Sequence, residues 1–449
     1  MDFKLYRPRY AELLKLGFPV LLTQLGVILM SFTDTMMVGA YGVNELAASA
    51  FVNSVFLIPM VMLSGLAAGI TPLVGALFSQ NDFHEAGRTA RAGLQINAIV
   101  ATAFIAIMTI IYFWLGLFGQ PEDIMTPSRE YYITLLTAML PMALFNALSQ
   151  TSNGLTDTRT PMYFILMGIG LNIFGNWLLI YGNLGCPRLG LMGAGIATSL
   201  SRWLTFGSMF AMYMWSGRYQ NIRAGIADGE HLGELRGKVW NTSYPVAIQT
   251  GIECALWSIG AVVCGWFGKI QLAAYQVINT IGQLGFMTYM SFGVAVSIKV
   301  ANCTGLSDER GAGLVARAGI HLNLVLATIA SLAMLLLSRQ LLGIFTPDAD
   351  VIAAGEKLIL PLLMYQYLDA TQLTFVNAIR GTGQVKPLLS IASVSYILVG
   401  IPALWVCALL LEGESVGVYY SFNIALLAAA IYAAIVFKRL RISPVMDNA

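Results

Sequence analysis

The feature that most constrains this chain is an internal duplication with a fixed offset. Short segments recur 226 positions later, as Pro19 does at Pro245, through most of each half. Chance matches between two apolar sequences would not hold one register without an insertion. The recurring segments are Pro19-Val20 at Pro245-Val246, Leu46-Ala47-Ala48 at Leu272-Ala273-Ala274, Ala90-Arg91-Ala92-Gly93 at Ala316-Arg317-Ala318-Gly319, Asn97 at Asn323, Pro121 at Pro347, and Pro161 at Pro387. A duplicated hydrophobic chain is typical of secondary transporters, whose two halves rock about a site at their interface, so transport is the leading hypothesis.

The composition places this chain in a membrane. Of its 449 residues, 57% are hydrophobic and only 11% are charged, and the mean hydropathy is +0.72. A soluble chain of this length could not cover its surface with so little charge. Apolar runs such as 96–118 exceed the ~20 residues that cross a bilayer. We therefore predict an all-α integral membrane protein with twelve transmembrane helices, at 14–40, 46–77, 92–118, 129–152, 162–182, 190–215, 240–267, 272–303, 317–340, 353–379, 388–411 and 416–437.

The basic residues of the predicted loops fall mostly on one side of the membrane. If the N-terminus is inside, the outer loops hold only Arg129, Arg188, Lys269, Arg339 and Lys357. The inner segments hold Lys4, Arg7, Arg9, Arg88, Arg91, Arg159, Arg218, Arg223, Arg236, Lys238, Arg310, Arg317, Arg380, Lys386, Lys438, Arg439 and Arg441. By the positive-inside rule, both termini of this multi-pass protein are predicted to be cytoplasmic. The net charge of +2 gives no reason to expect a nucleic-acid partner, and the five cysteines lack the spacing of a zinc site or a disulfide framework.

The even number of spans per half fixes how the halves are related. Six spans return the chain to the same side, so the two pseudo-symmetric six-helix bundles are predicted to form a parallel repeat with its axis along the membrane normal. We predict an N-terminal lobe over 1–215, a solvated cytoplasmic linker over 216–239, and a C-terminal lobe over 240–449. The glycine-containing turns before Pro161 and Pro387 lack the Gly-Lys-Ser/Thr ending of a phosphate loop, so we expect no nucleotide there.

Three carboxylates lie inside the predicted spans and away from their ends, namely Asp34, Glu253 and Asp369. An ionised side chain near the bilayer centre costs ~3 kcal/mol or more, and a bound cation, a proton or a basic partner reduces that cost. Away from the span ends, the membrane-embedded bases are Lys299, which can extend to the cytoplasmic surface, and the deeper Arg202. A structural ion pair with Arg202 would account for one carboxylate at most. We therefore expect functional roles for these acids.

Oxygen-bearing side chains share helical faces with these acids. Tyr365 and Gln372 flank Asp369, Gln249 lies one turn before Glu253, and Asn172 and Asn176 are four residues apart, with Thr198 on the next span. Hard cations such as sodium prefer oxygen ligands, and a tyrosine face adds attraction to a cation. For the asparagines, ordinary hydrogen bonding between helices is an equally good interpretation. The offset pairs Glu253 with Val27 and Asp34 with Gly260, so the halves share a scaffold but not their polar groups.

Several motifs resemble those of one transporter family. Ser31-Phe32-Thr33-Asp34-Thr35-Met36-Met37-Val38-Gly39, preceded by Pro19, is similar to the first helix of the multidrug and toxic compound extrusion (MATE) family, NorM-type branch. The resemblance covers essentially the whole chain. The other matching segments are Thr156-Asp157-Thr158-Arg159-Thr160-Pro161, Asn172 to Gly182, Leu189 to Thr198, and the residues Glu253 and Asp369.

The resemblance implies site residues in both lobes. Glu253, Asp369 and Tyr365 would bind the coupling cation, and Asp34, Asn172, Asn176 and Thr198 would form a first-lobe polar site. The related DinF-type branch carries an aspartate at the position of Asn176, which weakens the case for an independent cation site in the first lobe. Gln276 and Asp348, together with Asp34, match positions expected near the substrate.

Together with the membrane-embedded acids, the resemblance implies a cation-coupled multidrug efflux antiporter of the cytoplasmic (inner) membrane. It would exchange amphipathic organic cations for sodium or protons, act as a monomer in the lipid bilayer, and need no cofactor besides the coupling ion. The sequence leaves sodium and protons as equal alternatives. A flippase for lipid-linked precursors is the other hypothesis, but its cavity should carry several basic residues to hold a diphosphate. An enzyme is not expected, because neither His-Glu-x-x-His nor Gly-x-Ser-x-Gly occurs.

Overall fold

The computed structural model describes residues 3–229 and 232–440, and within them every regular element is helical. Of the predicted linker and inner segments, Glu230, His231 and Arg441 lie outside the described residues. The α-helices are α1 (Phe3–Tyr41), α2 (Val43–Ala68), α3 (Ile70–Ser79), α4 (Phe83–Trp114), α5 (Glu122–Gly154), α6 (Arg159–Leu179), α7 (Gly190–Trp215), α8 (Gln220–Ala227), α9 (Leu232–Trp266), α10 (Lys269–Gly305), α11 (Glu309–Leu336), α12 (Ser338–Phe345), α13 (Ala349–Gly381), α14 (Lys386–Ala392), α15 (Ile401–Leu404) and α16 (Glu414–Arg439). Short 3₁₀ turns cover Leu115–Phe118, Asn183–Gly185 and Gly217–Tyr219.

The long helices confirm the predicted fold class. Eleven helical segments of the described chain are long and apolar enough to cross a membrane. The twelfth predicted span is α7, which has 26 residues and is thus about 39 Å long, enough to cross, but carries Arg202 and several glycines, serines and threonines. Its lower hydropathy reflects that polar content.

The chain divides into two compact units whose limits follow the duplication. One unit comprises residues 22–247, and the other comprises residues 1–21 together with 248–449. Both limits fall inside a helix, in α1 and α9, two residues after the repeated Pro19-Val20 and Pro245-Val246 segments. The predicted boundaries at 215 and 240 follow chain order, whereas the compact units group the first part of α1 with the second half. The division into functional lobes stays a prediction.

In the unit of residues 22–247, α5 is the central helix and packs against α2, α3, α4 and α7. Its core includes Tyr132, which is fully buried, stacks edge-on against Phe56 at 4.7 Å between ring centroids, and donates a hydrogen bond to the Met108 carbonyl at 2.8 Å. Because its hydroxyl is hydrogen-bonded, the large ring of Tyr132 can fill an apolar interior without leaving a polar group unpaired. The equivalent central helix of the other unit is α13.

The linker is packed more closely than expected for a solvated connection. The short helix α8 lies against α4, where Ile222 and Gly225 are buried. Asp157, in the turn before α6, accepts hydrogen bonds from the Thr160 hydroxyl at 2.7 Å and the Tyr219 hydroxyl at 2.6 Å, and pairs with Arg218 at 3.1 Å. Burial, followed by the bond to Asp157, raises the pKa of Tyr219 to about 12, so this hydroxyl remains a donor at neutral pH. Asp157 thus fixes the linker to the first unit.

In the other unit, α13 packs against α10, α11 and α16. The start of α1 adds Leu13 and Leu16 to an apolar cluster with residues of α10 and α11. Two π-helical stretches, Ser393–Gly400 and Trp405–Leu410, flank the α15 segment that contains Pro402. Proline lacks the amide donor that an α-helix needs, which is a physical reason for the hydrogen-bond pattern to shift around it.

The duplication is visible in the local geometry. Asp82 caps α4 by accepting from the Glu85 amide at 3.0 Å, and Asp308, 226 residues later, caps α11 by accepting from the Gly311 amide at 2.8 Å. The preceding residues, Asn81 and Ser307, both have left-handed backbones with φ of 62° and 55°. The halves therefore repeat their turns and caps as well as their helices.

Candidate functional site

Asp369 lies on the central helix α13 with its side chain fully buried. The Tyr365 hydroxyl, one turn earlier, approaches the carboxylate. Even so, neither carboxylate oxygen has a partner in good hydrogen-bonding geometry among the described residues. Because a buried ionised carboxylate without partners is costly, the position demands a proton or a cation.

Glu253, on α9, lies near Asp369, and its carboxylate has more hydrogen-bond partners than that of Asp369. Gln249 donates to its carboxylate at 2.8 Å, and Arg380 in turn donates to the Gln249 amide oxygen at 2.6 Å. The Tyr396 hydroxyl is also within hydrogen-bonding reach of Glu253, and the two carboxylates, Glu253 and Asp369, are close enough to repel each other. Two neighbouring acids, of which Asp369 is fully buried and poorly compensated, are suited to bind a monovalent cation or to share a proton.

Arg380 corrects an expectation from the sequence. The sequence places it in a cytoplasmic loop, but in the structure it lies in the last turn of α13 with only 5% of its surface exposed. The second half therefore contains a buried base that partly compensates Glu253, whereas Asp369 has neither a basic nor an amide partner among the described residues. Sequence reasoning misplaced Arg380 because it directly precedes the Gly381-Thr382-Gly383 turn.

Aromatic side chains surround the two acids. Trp257, one turn after Glu253, packs edge-on against Tyr365 with ring centroids 5.3 Å apart. Tyr396, in the π-helical stretch after α14, accepts a hydrogen bond from Gln372 at 3.0 Å. The structure thus brings together Glu253, Asp369 and Tyr365 as predicted, and adds Tyr396, which carries no charge and left no signal in the sequence. Aromatic walls around acids exclude water and can attract a cation through their faces.

The polar residues predicted for the first half also converge. The Thr198 hydroxyl accepts from the Asn172 amide at 3.0 Å, and Asn172 accepts from the Asn176 amide at 3.3 Å. Asn176 also donates to the carboxylate of Asp34. Both asparagines are fully buried, on α6, while Asp34 is half-buried on α1. Asp34 therefore has an amide donor, whereas Asp369 has no donor in good geometry among the described residues.

The two bases expected inside spans have different surroundings. Lys299 forms an ion pair with Glu12 at 3.0 Å, both in the unit that contains the start of α1. Arg202 lies near Asp34 and Tyr131, but within residues 3–229 and 232–440 it forms no ion pair and its buried Nη1 atom has no hydrogen-bond acceptor. Arg202 thus acts on Asp34 through its charge and not through a direct contact.

Gln276 and Asp348 do not join either cluster. Gln276 is exposed near the start of α10, and Asp348 is exposed at the start of α13, where it accepts from the Asp350 amide at 2.9 Å. Asp348 and Asp369 are 21 residues apart on one helix, about 30 Å. Their assignment to substrate binding stays a prediction.

The donor set indicates which ions the site can take. Across the described chain, no group of three or more His, Cys, Asp or Glu side chains is placed to hold a metal ion. A site of two carboxylates, phenol hydroxyls and amide oxygens is instead suited to one hard monovalent cation or to a proton. Arg380 and Gln249 would keep the Glu253 carboxylate oriented while Asp369 binds or releases the cation or proton.

A family model matches both halves of the chain. The MatE model matches residues 19–178 and again residues 245–406, so its two copies follow the internal duplication and cover more than half of the sequence.

Curated relatives and solved structures agree with that match. The multidrug resistance protein NorM of Vibrio cholerae is 27% identical over 399 residues, which span 88% of this chain and 87% of that protein. The probable multidrug resistance protein NorM of Bradyrhizobium diazoefficiens is 27% identical over 439 residues, spanning 96% and 93%. The crystal structure of the eukaryotic MATE transporter AtDTX14 is 18% identical and superimposes with a TM-score of 0.90, covering 99% of this chain and 98% of that one.

Proposed function

Since the chain belongs to the MatE family of transporters, we propose that it exports amphipathic organic cations in exchange for sodium or protons. It is a multi-pass inner-membrane transporter and not an enzyme. Multidrug efflux agrees with the names of its relatives. No cofactor other than the coupling ion is required by this proposal.

The observation that carries the proposal is the state of Asp369. It is fully buried in a membrane-spanning helix, lacks hydrogen-bond partners in good geometry within the described chain, and lies beside a second carboxylate, Glu253. Removing such a charge from water costs several kcal/mol unless it is neutralised. A cation or proton that binds there stabilises the conformation in which the acids are buried. Transport follows if the drug stabilises a different conformation.

Coupling then has a simple thermodynamic form. Ions entering from outside would bind Glu253 and Asp369, with Tyr365 as a neighbour, and would favour the conformation that releases drug outward. Since linkage is reciprocal, the drug must weaken ion binding by the same factor as the ion weakens drug binding. Export against a gradient requires that mutual exclusion.

The first half is assigned a different task. Asp34 already has the Asn176 amide as a partner and the Arg202 guanidinium nearby, so its need for a bound cation is smaller. We assign Asp34, with Asn172, Asn176 and Thr198, to drug binding or gating. Gln276 and Asp348 remain candidate substrate positions. Both termini are assigned to the cytoplasm and the protein is assigned as a monomer in the bilayer.

A flippase for anionic lipid precursors is less well supported. Such a cavity needs several free basic groups for a diphosphate. Of the three bases described above, Arg380 is engaged with Gln249 and Lys299 is paired with Glu12, so Arg202 alone of these three remains for a diphosphate.

The decisive experiment uses proteoliposomes that contain a fluorescent organic cation. A sodium gradient and a proton gradient are imposed separately, and drug movement is followed with and without an ionophore that removes the gradient. We expect drug movement against its own gradient under one of the two ion gradients. Movement under neither gradient would overturn the proposal of antiport.

A further inference from the structure

A second set of buried oxygen atoms lies around Asp369, where α10, α11 and α13 pack together. We name it the acceptor lane, and it consists of Tyr289, Asn323, Ser331, Gln366 and Asp369. Each has less than 7% of its surface exposed. The Tyr289 hydroxyl, the Asn323 and Gln366 amide oxygens, the Ser331 hydroxyl and both Asp369 oxygens have no hydrogen-bond partner in the part of the chain that the structure describes.

Contacts between the helices place Tyr289, Asn323 and Gln366 in one interface, and Ser331 lies on α11 between Asn323 and Met334. The Asn323 amide, on α11, donates to the Tyr289 carbonyl on α10 at 3.2 Å and to the Thr374 hydroxyl on α13 at 2.9 Å. Gln366, on α13, lies against Gly285 of α10 and donates to the Met334 sulfur of α11 at 3.6 Å. Tyr289 is close enough to Asp369 to be influenced by its charge.

The first half provides an internal control for this interface. At the 226 offset, Tyr289, Ser331, Gln366, Asp369 and Thr374 correspond to Leu63, Ile105, Leu140, Ala143 and Leu148. Those residues belong to or pack in an apolar interior, and among the counterparts of the lane only Asn97 keeps an unpartnered oxygen. The same three-helix packing is therefore apolar in one half and lined with unpartnered oxygens in the other.

Buried polar atoms in proteins are normally hydrogen-bonded to protein or to ordered water. A group of such atoms that ends at a buried carboxylate is the arrangement needed to conduct a partly hydrated ion or a proton. We propose that the acceptor lane is a hydrated path between α10, α11 and α13 through which the coupling ion reaches Asp369. This inference rests on the proposed function and adds the route to the site. It distinguishes residues that guide the ion from residues that hold it.

The presence of water in the lane can be tested on the unmodified protein. Hydroxyl radicals generated by X-ray pulses label side chains that lie beside water, even when they are buried. Met334 and Met108 are duplicate positions, 6% and 1% exposed, and Tyr289 and Tyr132 are both fully buried tyrosines. We expect Met334 and Tyr289 to be labelled about tenfold faster than Met108 and Tyr132, because only the lane offers polar partners for water. Equal labelling within each pair would overturn the proposal.

The role of the lane in ion access can be tested by kinetics. Tyr289→Phe removes one hydroxyl from the lane, and Gln366→Leu introduces the residue type found at the duplicate position Leu140. Tyr132→Phe is the matched control, since its hydroxyl donates to the Met108 carbonyl and lies in the apolar interface. Stopped-flow jumps in sodium concentration and in pH, followed by tryptophan fluorescence, give the rates and the equilibrium affinity.

We expect each lane variant to slow ion association and dissociation by about tenfold, as the loss of one polar contact to the passing ion or its water predicts, with unchanged affinity. Rates equal to those of Tyr132→Phe would overturn the proposal. A loss of affinity at unchanged association rate would show that the lane residues hold the ion, which also contradicts it. If Gln366→Leu does not fold, Ser331→Ala provides the second lane variant.

The failure of the proposed function looks different. If Asp369→Asn binds the ion as the unmodified protein does, the cation site itself is wrong, whatever the lane variants show. If Asp369→Asn abolishes binding while the lane variants match the control, only the lane is wrong.

Discussion

The central helices α5 and α13 occupy equivalent positions in the duplicated chain but carry different chemistry. Where α13 has Tyr365, Gln366 and Asp369, α5 has Met139, Leu140 and Ala143. Both helices pack against the corresponding neighbours of their own unit. The duplicated scaffold thus supplies the packing, while Tyr365, Gln366 and Asp369 place polar groups on only one of the two central helices. Ion coupling can then be confined to one half without a change in the helix packing that both halves share.

The acids of the two halves differ in how many hydrogen-bond donors their carboxylates have. Asp34 accepts a hydrogen bond from Asn176, whose neighbours Asn172 and Thr198 continue the network. Asp369 has no such partner within the described residues, and its neighbour Glu253 adds repulsion. A carboxylate that is already hydrogen-bonded gains less from binding a cation. This difference, and not the number of acids, predicts which half binds the ion.

The largest effect should follow from removing either acid of the second half. Glu253→Gln or Asp369→Asn should reduce ion-driven drug efflux from proteoliposomes to the level of protein-free vesicles, because a neutral amide no longer binds the ion. Glu356→Gln is the matched control, since this carboxylate lies on the same helix α13 and is about half exposed. Full efflux by either site variant, at normal expression, would refute the assignment.

Removing the acid of the first half should have a narrower effect. Asp34→Asn should slow efflux of permanently charged drugs more than efflux of drugs that can lose their proton, since a quaternary ammonium depends on a carboxylate or an aromatic face. The measurement is the initial rate of efflux for matched drug pairs. Equal slowing for both kinds of drug would remove drug recognition from the role of Asp34.

Tyr365 separates the contributions of ring and hydroxyl. Tyr365→Phe keeps a face that attracts a cation by ~0.5–2 kcal/mol, so its ion affinity should exceed that of Tyr365→Ala by about two- to thirtyfold. Titration of the purified variants with sodium and with protons measures this. If Phe and Ala weaken binding equally, the phenol oxygen or simple packing is responsible.

The smallest effect concerns helix packing. Alanine at the duplicate positions Gly93 and Gly319 should lower the free energy of unfolding in both halves, but by different amounts. A Cβ added at Gly93 would meet the terminal Cδ1 of Ile70 at 2.7 Å, whereas at Gly319 it would meet Val296, whose branched side chain is stiff. Gly319→Ala should therefore cost about 1–3 kcal/mol of unfolding free energy, and Gly93→Ala less. Thermal unfolding in detergent compares the two. The reverse order would show that Val296 adapts more easily than Ile70.

The sequence predicts most of the scaffold and part of the site. Apolar runs locate the spans, and Asp34, Glu253 and Asp369 are visible because a charge inside such a run is conspicuous. Arg380 was misplaced because a buried arginine beside a glycine turn looks the same as a loop arginine. Tyr396, Tyr289 and Gln366 are uncharged, and the residues that surround them come from other helices, so only the packing of helices reveals them. The grouping of residues 1–21 with the second half has the same origin, since it depends on contacts across more than 200 positions.

The most direct test of the central claim is the binding of the coupling ion to purified protein in the absence of drug. Sodium binding and proton release are titrated for the unmodified protein, Asp369→Asn and Asp34→Asn. We predict that Asp369→Asn loses the site, while Asp34→Asn changes the affinity by less than about threefold. If Asp34→Asn abolishes binding as completely as Asp369→Asn does, the first half holds a coupling site and the division of labour proposed for the two halves is wrong.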